Sequence, residues 1–136
     1  MVSRNRPGQI VSVLKSTIPA KLFKCIDKDD IVQLTEELLS RVNKEPLGLP
    51  KVVDTRKYTL LTFCAYKNNM AALKMIYEYV TDSEPISEEE LSEWVNKPTD
   101  RGFTALHFAA YYGDLDMVDF LVVVCKAKLD ALTRTG

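Results

Sequence analysis

One stretch constrains the fold more than any other. Residues 99–130 read TDRGFTALHFAAYYGDLDMVDFLVVVCKAKLD. Asp100, Arg101 and Gly102 form a turn signal. Leu106, Ala109 and Ala110 then sit at i, i+3 and i+4, one face of a helix. The small residues on that face let a second helix approach closely. Gly113 ends the first helix as a C′ glycine does. A second apolar stripe, Leu115, Val118, Leu121, Val122 and Cys125, again has helical spacing. The predicted unit is an antiparallel pair of short helices joined by a tight glycine turn. Each helix carries one narrow apolar face and too little core to stand alone. Neighbours of the same kind must stack to bury those faces.

In that order, the residues resemble the ankyrin repeat. The family pattern runs D-x-x-G-x-T-P-L-H-x-A-A-x-x-G, then a second helix ending in two leucines. Gly102, Thr104, Leu106, His107, Ala109, Ala110, Gly113, Val118, Leu121 and Val122 fall on it. Thr99 replaces the family's Asp and Ala105 its Pro. Alanine remains compatible with a first helical turn.

A second copy aligns without a gap. Asp54, Thr59 and Leu61 take the Asp, Thr and Leu positions, and Cys64-Ala65 the small pair. Asn68 replaces the helix-ending glycine and is the next best residue for a left-handed backbone. Ala72, Leu73, Ile76 and Tyr77 supply the second stripe. Lys57 stands at the turn glycine and Thr62 at the histidine, departures that weaken the turn but not the helix pair. Thr59 and Thr104 are 45 positions apart, against a family period of about 33, so about 12 residues are inserted. Ser87-Glu88-Glu89-Glu90 is a capping box, and Leu91, Trp94 and Val95 form a helical face. The insert is therefore predicted to hold one extra short helix over 87–95.

Upstream, Leu22, Phe23, Cys25 and Ile26 precede a polar Asp27–Asp30 turn, and Ile31, Leu34, Leu38, Leu39 and Val42 follow with helical spacing. This is a degenerate copy without the T-x-L-H box. The expected fold is all-α, an ankyrin-type α-solenoid of stacked helix–turn–helix repeats with short hairpin-like turns between them. Its expected division is a flexible basic tail (1–19) and a repeat domain (20–136). Within the domain lie a capping repeat (20–45), a linking loop (46–53), a repeat (54–80), a helical insert (81–98), a repeat (99–130) and the start of a further, truncated one (131–136). Thr133-Arg134-Thr135-Gly136 has the spacing of another turn, so the chain is expected to be a fragment continuing into more repeats or, as the alternative, to have that open face covered by a partner.

Few residues support chemistry. His107 is the only histidine, so any nucleophilic or metal site must use it. The resemblance assigns it instead to the T-x-L-H box, where it hydrogen-bonds repeat turns. A Cys–His dyad with Cys64 or Cys125 would place a thiolate on a core stripe, at high cost. Glu88–Glu90 admits a metal or acid-pair reading, but a first helical turn accounts for it through the helix dipole. No phosphate loop or hydrolase motif is present. The chain is read as a non-enzyme that uses no cofactor and no metal.

Net charge is −1, which argues against nucleic acid as a partner. No apolar run reaches the ~18 residues of a membrane span. The three cysteines are odd in number and widely spaced, as reduced thiols of a cytoplasmic protein are. Residues 1–26 hold five basic residues and no acid, which leaves a mitochondrial transit peptide as the alternative. Partners are expected to be other proteins. The resemblance places the contacts on turn tips and first-helix surfaces: Thr55, Arg56, Tyr58, Tyr66 and Lys67 in one copy, and Asp100, Arg101, Phe103, Tyr111 and Tyr112 in the other. Two further readings stand beside this one. The chain is a regulatory or recruiting domain of a larger enzyme or membrane protein, such as a palmitoyltransferase or channel, or a permanent subunit of an assembly.

Overall fold

The computed structural model describes residues 18–40, 46 and 48–129. Most of the basic tail, Val42 and the 131–136 turn lie outside the described residues. The helices are α1 (18–27), α2 (Ile31–Leu39), α3 (Leu60–Tyr66), α4 (Met70–Ser83), α5 (Glu88–Val95), α6 (Ala105–Tyr112) and α7 (Leu115–Asp119). A 3-10 turn covers Leu49–Lys51, and α7 runs on into a π-helical turn over Phe120–Val124. Among the described residues there is no strand; a single antiparallel β-bridge joins Val53 to Thr59. The fold is all-α, as the repeat pattern predicts.

Three helix pairs, α1–α2, α3–α4 and α6–α7, close through the same turn. Asp29, Asn68 and Gly113 all adopt left-handed backbone, with φ of 55°, 54° and 67°. The next residue donates its N–H back five positions: Asp30 to Cys25 and Asn69 to Cys64 at 2.8 Å, Asp114 to Ala109 at 3.1 Å. That is a Schellman closure. The same residue caps the second helix. Side-chain oxygens of Asp30, Asn69 and Asp114 accept the N–H of Gln33, Ala72 and Met117, each at 3.1 Å. The first pair thus shares the turn of the others although its T-x-L-H box is missing.

The turns leading into α3 and α6 are also one structure built twice. Asp54 Oδ1 accepts from the N–H groups of Arg56 and Tyr58, both at 2.9 Å. Thr99 Oγ1 accepts from Arg101 and Phe103, both at 3.3 Å, so the hydroxyl does the carboxylate's work over longer bonds. Lys57 takes the glycine's role with φ of 65°, beside 84° at Gly102. The departures at Thr99 and Lys57 are thus both absorbed, although a lysine at 57 is expected to weaken its turn. Asp100 N–H donates to the Arg56 carbonyl at 3.1 Å and ties one turn to the next.

Each of these helices starts on a capping box. The Thr59 N–H donates to Thr62 Oγ1 at 2.6 Å, and the Thr104 N–H donates to His107 Nδ1 at 2.7 Å. Thr62 therefore replaces histidine function for function. In this bond His107 Nδ1 is the acceptor, so in the neutral ring the proton sits on Nε2.

A continuous core runs through the stack. α3 packs on α4 and α6, α6 on α7, and α2 on α4. Leu22, Leu61, Leu73, Ile76, Leu106 and Leu121 are fully buried within it, each stabilising the fold by about 1.5–3 kcal/mol relative to exposure. Some expected core positions are corrected. Ala110 and Leu39 face solvent. Leu115 is 79% exposed whereas Met117 is 0% exposed. The Asp114 cap sets the phase of α7 so that Met117 points inward. The π turn then widens the helix, with Cys125 N–H reaching the Phe120 carbonyl at 3.1 Å. The buried stripe is Met117, Leu121 and Cys125, not one beginning at Leu115.

The insert helix is part of this core. Ser87 and Glu90 exchange capping bonds at 3.1 Å in both directions, and Trp94 and Val95 are buried. The Trp94 ring lies parallel to Tyr77 with centroids 6.3 Å apart. Among the described residues no group accepts its buried indole N–H, a deficit of about 1–3 kcal/mol. Glu84, also buried, accepts the Gly48 N–H at 3.0 Å and holds the 3-10 turn near the end of α4.

Candidate protein-binding face

The turn tips before α3 and α6, and the outer surfaces of those helices, form one side of the stack. Its chemistry is aromatic. Phe23 meets Phe63 at 5.3 Å; Phe63 meets Tyr66 at 6.0 Å and Tyr58 at 6.3 Å. Tyr58 stacks on Phe108 at 5.8 Å and on the edge of Tyr66 at 5.3 Å. Phe108 reaches Phe103 at 5.9 Å, and Phe103 touches the His107 ring at 5.8 Å. This ladder crosses all three helix pairs. Edge-on and offset pairs of this kind stabilise beyond area burial, by about 0.5–1.5 kcal/mol each.

The ten candidate contact residues are placed unequally. Thr55, Arg56, Lys67, Asp100 and Arg101 are exposed. Phe103, Tyr111 and Tyr112 are 40%, 84% and 44% exposed. Tyr66 is half-buried, and Tyr58 is only 8% exposed, covered by Phe108 and by the Arg56 guanidinium. Burial pushes the Tyr58 phenol above its usual range, with Arg56 opposing the shift. Tyr58 braces the face and offers it little surface.

Two of the ten also tie helix pairs together. Lys67 Nζ lies 2.9 Å from Asp27 Oδ1, and the bond and charge of Asp27 hold the ammonium above its usual range. The Tyr112 hydroxyl donates to the Tyr66 carbonyl at 2.6 Å. Asn69 adds a bond from its amide to Asp29 at 2.9 Å. Removing Lys67 or Tyr112 therefore perturbs stacking as well as any contact.

Phe63 and Phe108 escaped the sequence reading, and so did the Arg56–Tyr58–Tyr66 stack. A signal existed. Setting the two copies in register, 45 residues apart, puts aromatics at 58 and 103, 63 and 108, and 66 and 111. Three matched aromatic pairs on one helix and its turn mark a shared face.

Among the described residues, no group of three or more His, Cys, Asp or Glu side chains is placed to hold a metal ion. No described helix is long and apolar enough to cross a membrane. Cys25, Cys64 and Cys125 are free thiols, all buried.

Stacked helix pairs, shared Schellman turns and paired capping boxes define a helical-hairpin repeat protein. Residues 61–122 match the family model described as ankyrin repeats (many copies), so this span of the chain is built of ankyrin repeats. Repeats of this family generally act as protein–protein interaction modules. No curated protein and no solved structure matches the chain significantly.

Proposed function

We propose that the chain is a non-catalytic interaction module of the cytoplasm, taking a protein partner on the aromatic face of its turns and first helices. One observation carries this reading: Arg101 and Phe103 stand exposed on a turn pinned by side-chain and inter-turn hydrogen bonds, and Tyr111 stands exposed near the end of the helix that the turn leads into. Aromatic and arginine side chains supply most interface energy. A pinned backbone loses little entropy on binding. The three buried thiols, none of them paired, support a reducing compartment.

The test is affinity capture with wild type, Arg101→Glu, Phe103→Ala and Tyr111→Ala. Tyr111 is preferred to Tyr112, whose hydroxyl also joins two helix pairs. A partner retained by wild type and lost from these variants, with unchanged far-UV circular dichroism, supports the face. Equal retention by all four proteins refutes it.

A further inference from the structure

Arg56 and Arg101 occupy the same position in successive turns, yet among the described residues only Arg56 has an aromatic platform. Its guanidinium carbon lies 4.9 Å from the Tyr58 ring centroid and 6.0 Å from that of Tyr66. Cation–π contact of this kind holds the planar group over the rings. The backbone beneath it is fixed at both ends. The Arg56 N–H donates to Asp54 Oδ1 at 2.9 Å, and its carbonyl accepts from Asp100 N–H at 3.1 Å. The side chain is exposed. Among the described residues it makes no ion pair and no side-chain hydrogen bond. A guanidinium carries five donors in a rigid fork that matches a carboxylate. Here that fork is oriented in advance and unused.

What lies beside it limits the ligand further. Phe108 is half-buried against Tyr58 and Tyr66, at 5.8 and 5.5 Å, and exposed Phe103 continues the wall 5.9 Å beyond. An apolar side chain fits this wall. Exposed Asp100 stands on the neighbouring turn, and its charge acts on the same Tyr58. It disfavours a run of acids, so the match is one acidic residue next to an apolar one.

We propose that Arg56 anchors the binding face by taking a single Asp or Glu carboxylate from an extended segment of the partner, with the adjoining apolar side chain lying on Phe108 and Phe103. This deepens the interaction-module reading and rests on it. Anchor and wall together define a short acidic-apolar motif. The arginine supplies selectivity through geometry as well as charge, so lysine does not replace it.

The test pans a random dodecapeptide library against the whole chain. The enriched peptide is then made with its acid intact and with Asp or Glu changed to the amide. Enriched peptides are expected to carry an acid beside an apolar residue. The amide version is expected to bind about tenfold more weakly or worse, and Arg56→Lys to lose a similar factor. Combining the two should add little further loss, because both remove one interaction. Arg56→Lys leaves the backbone bonds in place, so unchanged thermal unfolding confirms an intact fold. Peptides that respond to Phe103→Ala but not to Arg56→Lys overturn the anchor and leave the face standing. Peptides that respond to neither, or no enrichment at all, overturn both.

Discussion

Replacing Thr59 by alanine should cost far more than replacing another helix cap of the same design. Thr59 and Thr62 are 0% and 1% exposed. The Thr59 hydroxyl accepts the Thr62 N–H at 3.0 Å and meets the Thr62 hydroxyl at 2.8 Å. Removing it strands a buried N–H where water cannot enter. A lost cap costs about 0.5–2 kcal/mol, and an unsatisfied buried donor about 1–3 kcal/mol. These describe the same bond and do not add. The missing methyl contributes about 0.8 kcal/mol more. Thr59→Ala should therefore lose about 2–3 kcal/mol and lower Tm by on the order of 10 °C. Thr59→Ser keeps the oxygen and should lose only about 1 kcal/mol. Ser87→Ala breaks a capping box whose members are both exposed; water replaces the bond, and the loss should be about 1 kcal/mol. Urea unfolding measured by far-UV circular dichroism gives all three values. Fluorescence of Trp94, the single tryptophan, checks that each transition is two-state. The reasoning fails if Thr59→Ala costs no more than Ser87→Ala, or if Thr59→Ser costs as much as Thr59→Ala.

Other outcomes follow from the turns and the buried thiols. A Cβ at Gly102 or Gly113 would meet nothing within 4 Å, so Gly102→Ala should cost only the left-handed backbone strain, about 1–2 kcal/mol by urea unfolding. Lys57→Gly relieves about the same strain but frees the unfolded chain, so its net effect should stay within about 0.5 kcal/mol of zero. Tyr112→Phe deletes the hydroxyl bond to Tyr66 and should cost about 0.5–1 kcal/mol, with little effect on the far-UV spectrum. Burial raises the Cys64 thiol far above its usual range and pushes Cys125 up to about 12. Folding thus favours the neutral thiols, and that stability is complete below the unfolded-state value near pH 8.5. Above it the unfolded chain ionises first, so stability should fall with rising pH, by up to about 1.4 kcal/mol per pH unit for each thiol. Cys64→Ala should flatten the measured pH profile between pH 9 and about 10.5; an unchanged slope would refute the assignment.

The helix pairs were legible in the sequence because apolar spacing and turn residues point the same way at Gly113, Asn68 and Ser87. Departures that looked like weaknesses in letters are equivalences in chemistry. Thr99 does for Phe103 what Asp54 does for Tyr58: each supplies one side-chain oxygen to two N–H groups. Thr62 does what His107 does, since the box needs only an acceptor at the right reach. The phase of α7 was not legible. Leu115 and Met117 are both apolar, and only the Asp114 cap and the π turn decide which of them faces inward.

The binding face shows a different limit. Its matched positions carry the same kinds of side chain in both copies but do different work. Tyr58 lies beneath Phe108 and Arg56, while Phe103, its counterpart 45 residues later, stands 40% exposed. Tyr66 is packed against three rings and Tyr111 is 84% exposed. Phe108 of the following helix pair covers Tyr58 and Tyr66. That cover turns Tyr58 and Tyr66 into a platform and so gives Arg56 a fixed direction, whereas no described aromatic ring holds the Arg101 guanidinium. Stacking thus gives the 54–66 copy a braced charge, while among the described residues Phe103 and Tyr111 of the second copy stay exposed. A partner that needs both must bridge the two turns, and the Asp100–Arg56 hydrogen bond that joins them at 3.1 Å then sets the spacing between its acidic and apolar contacts.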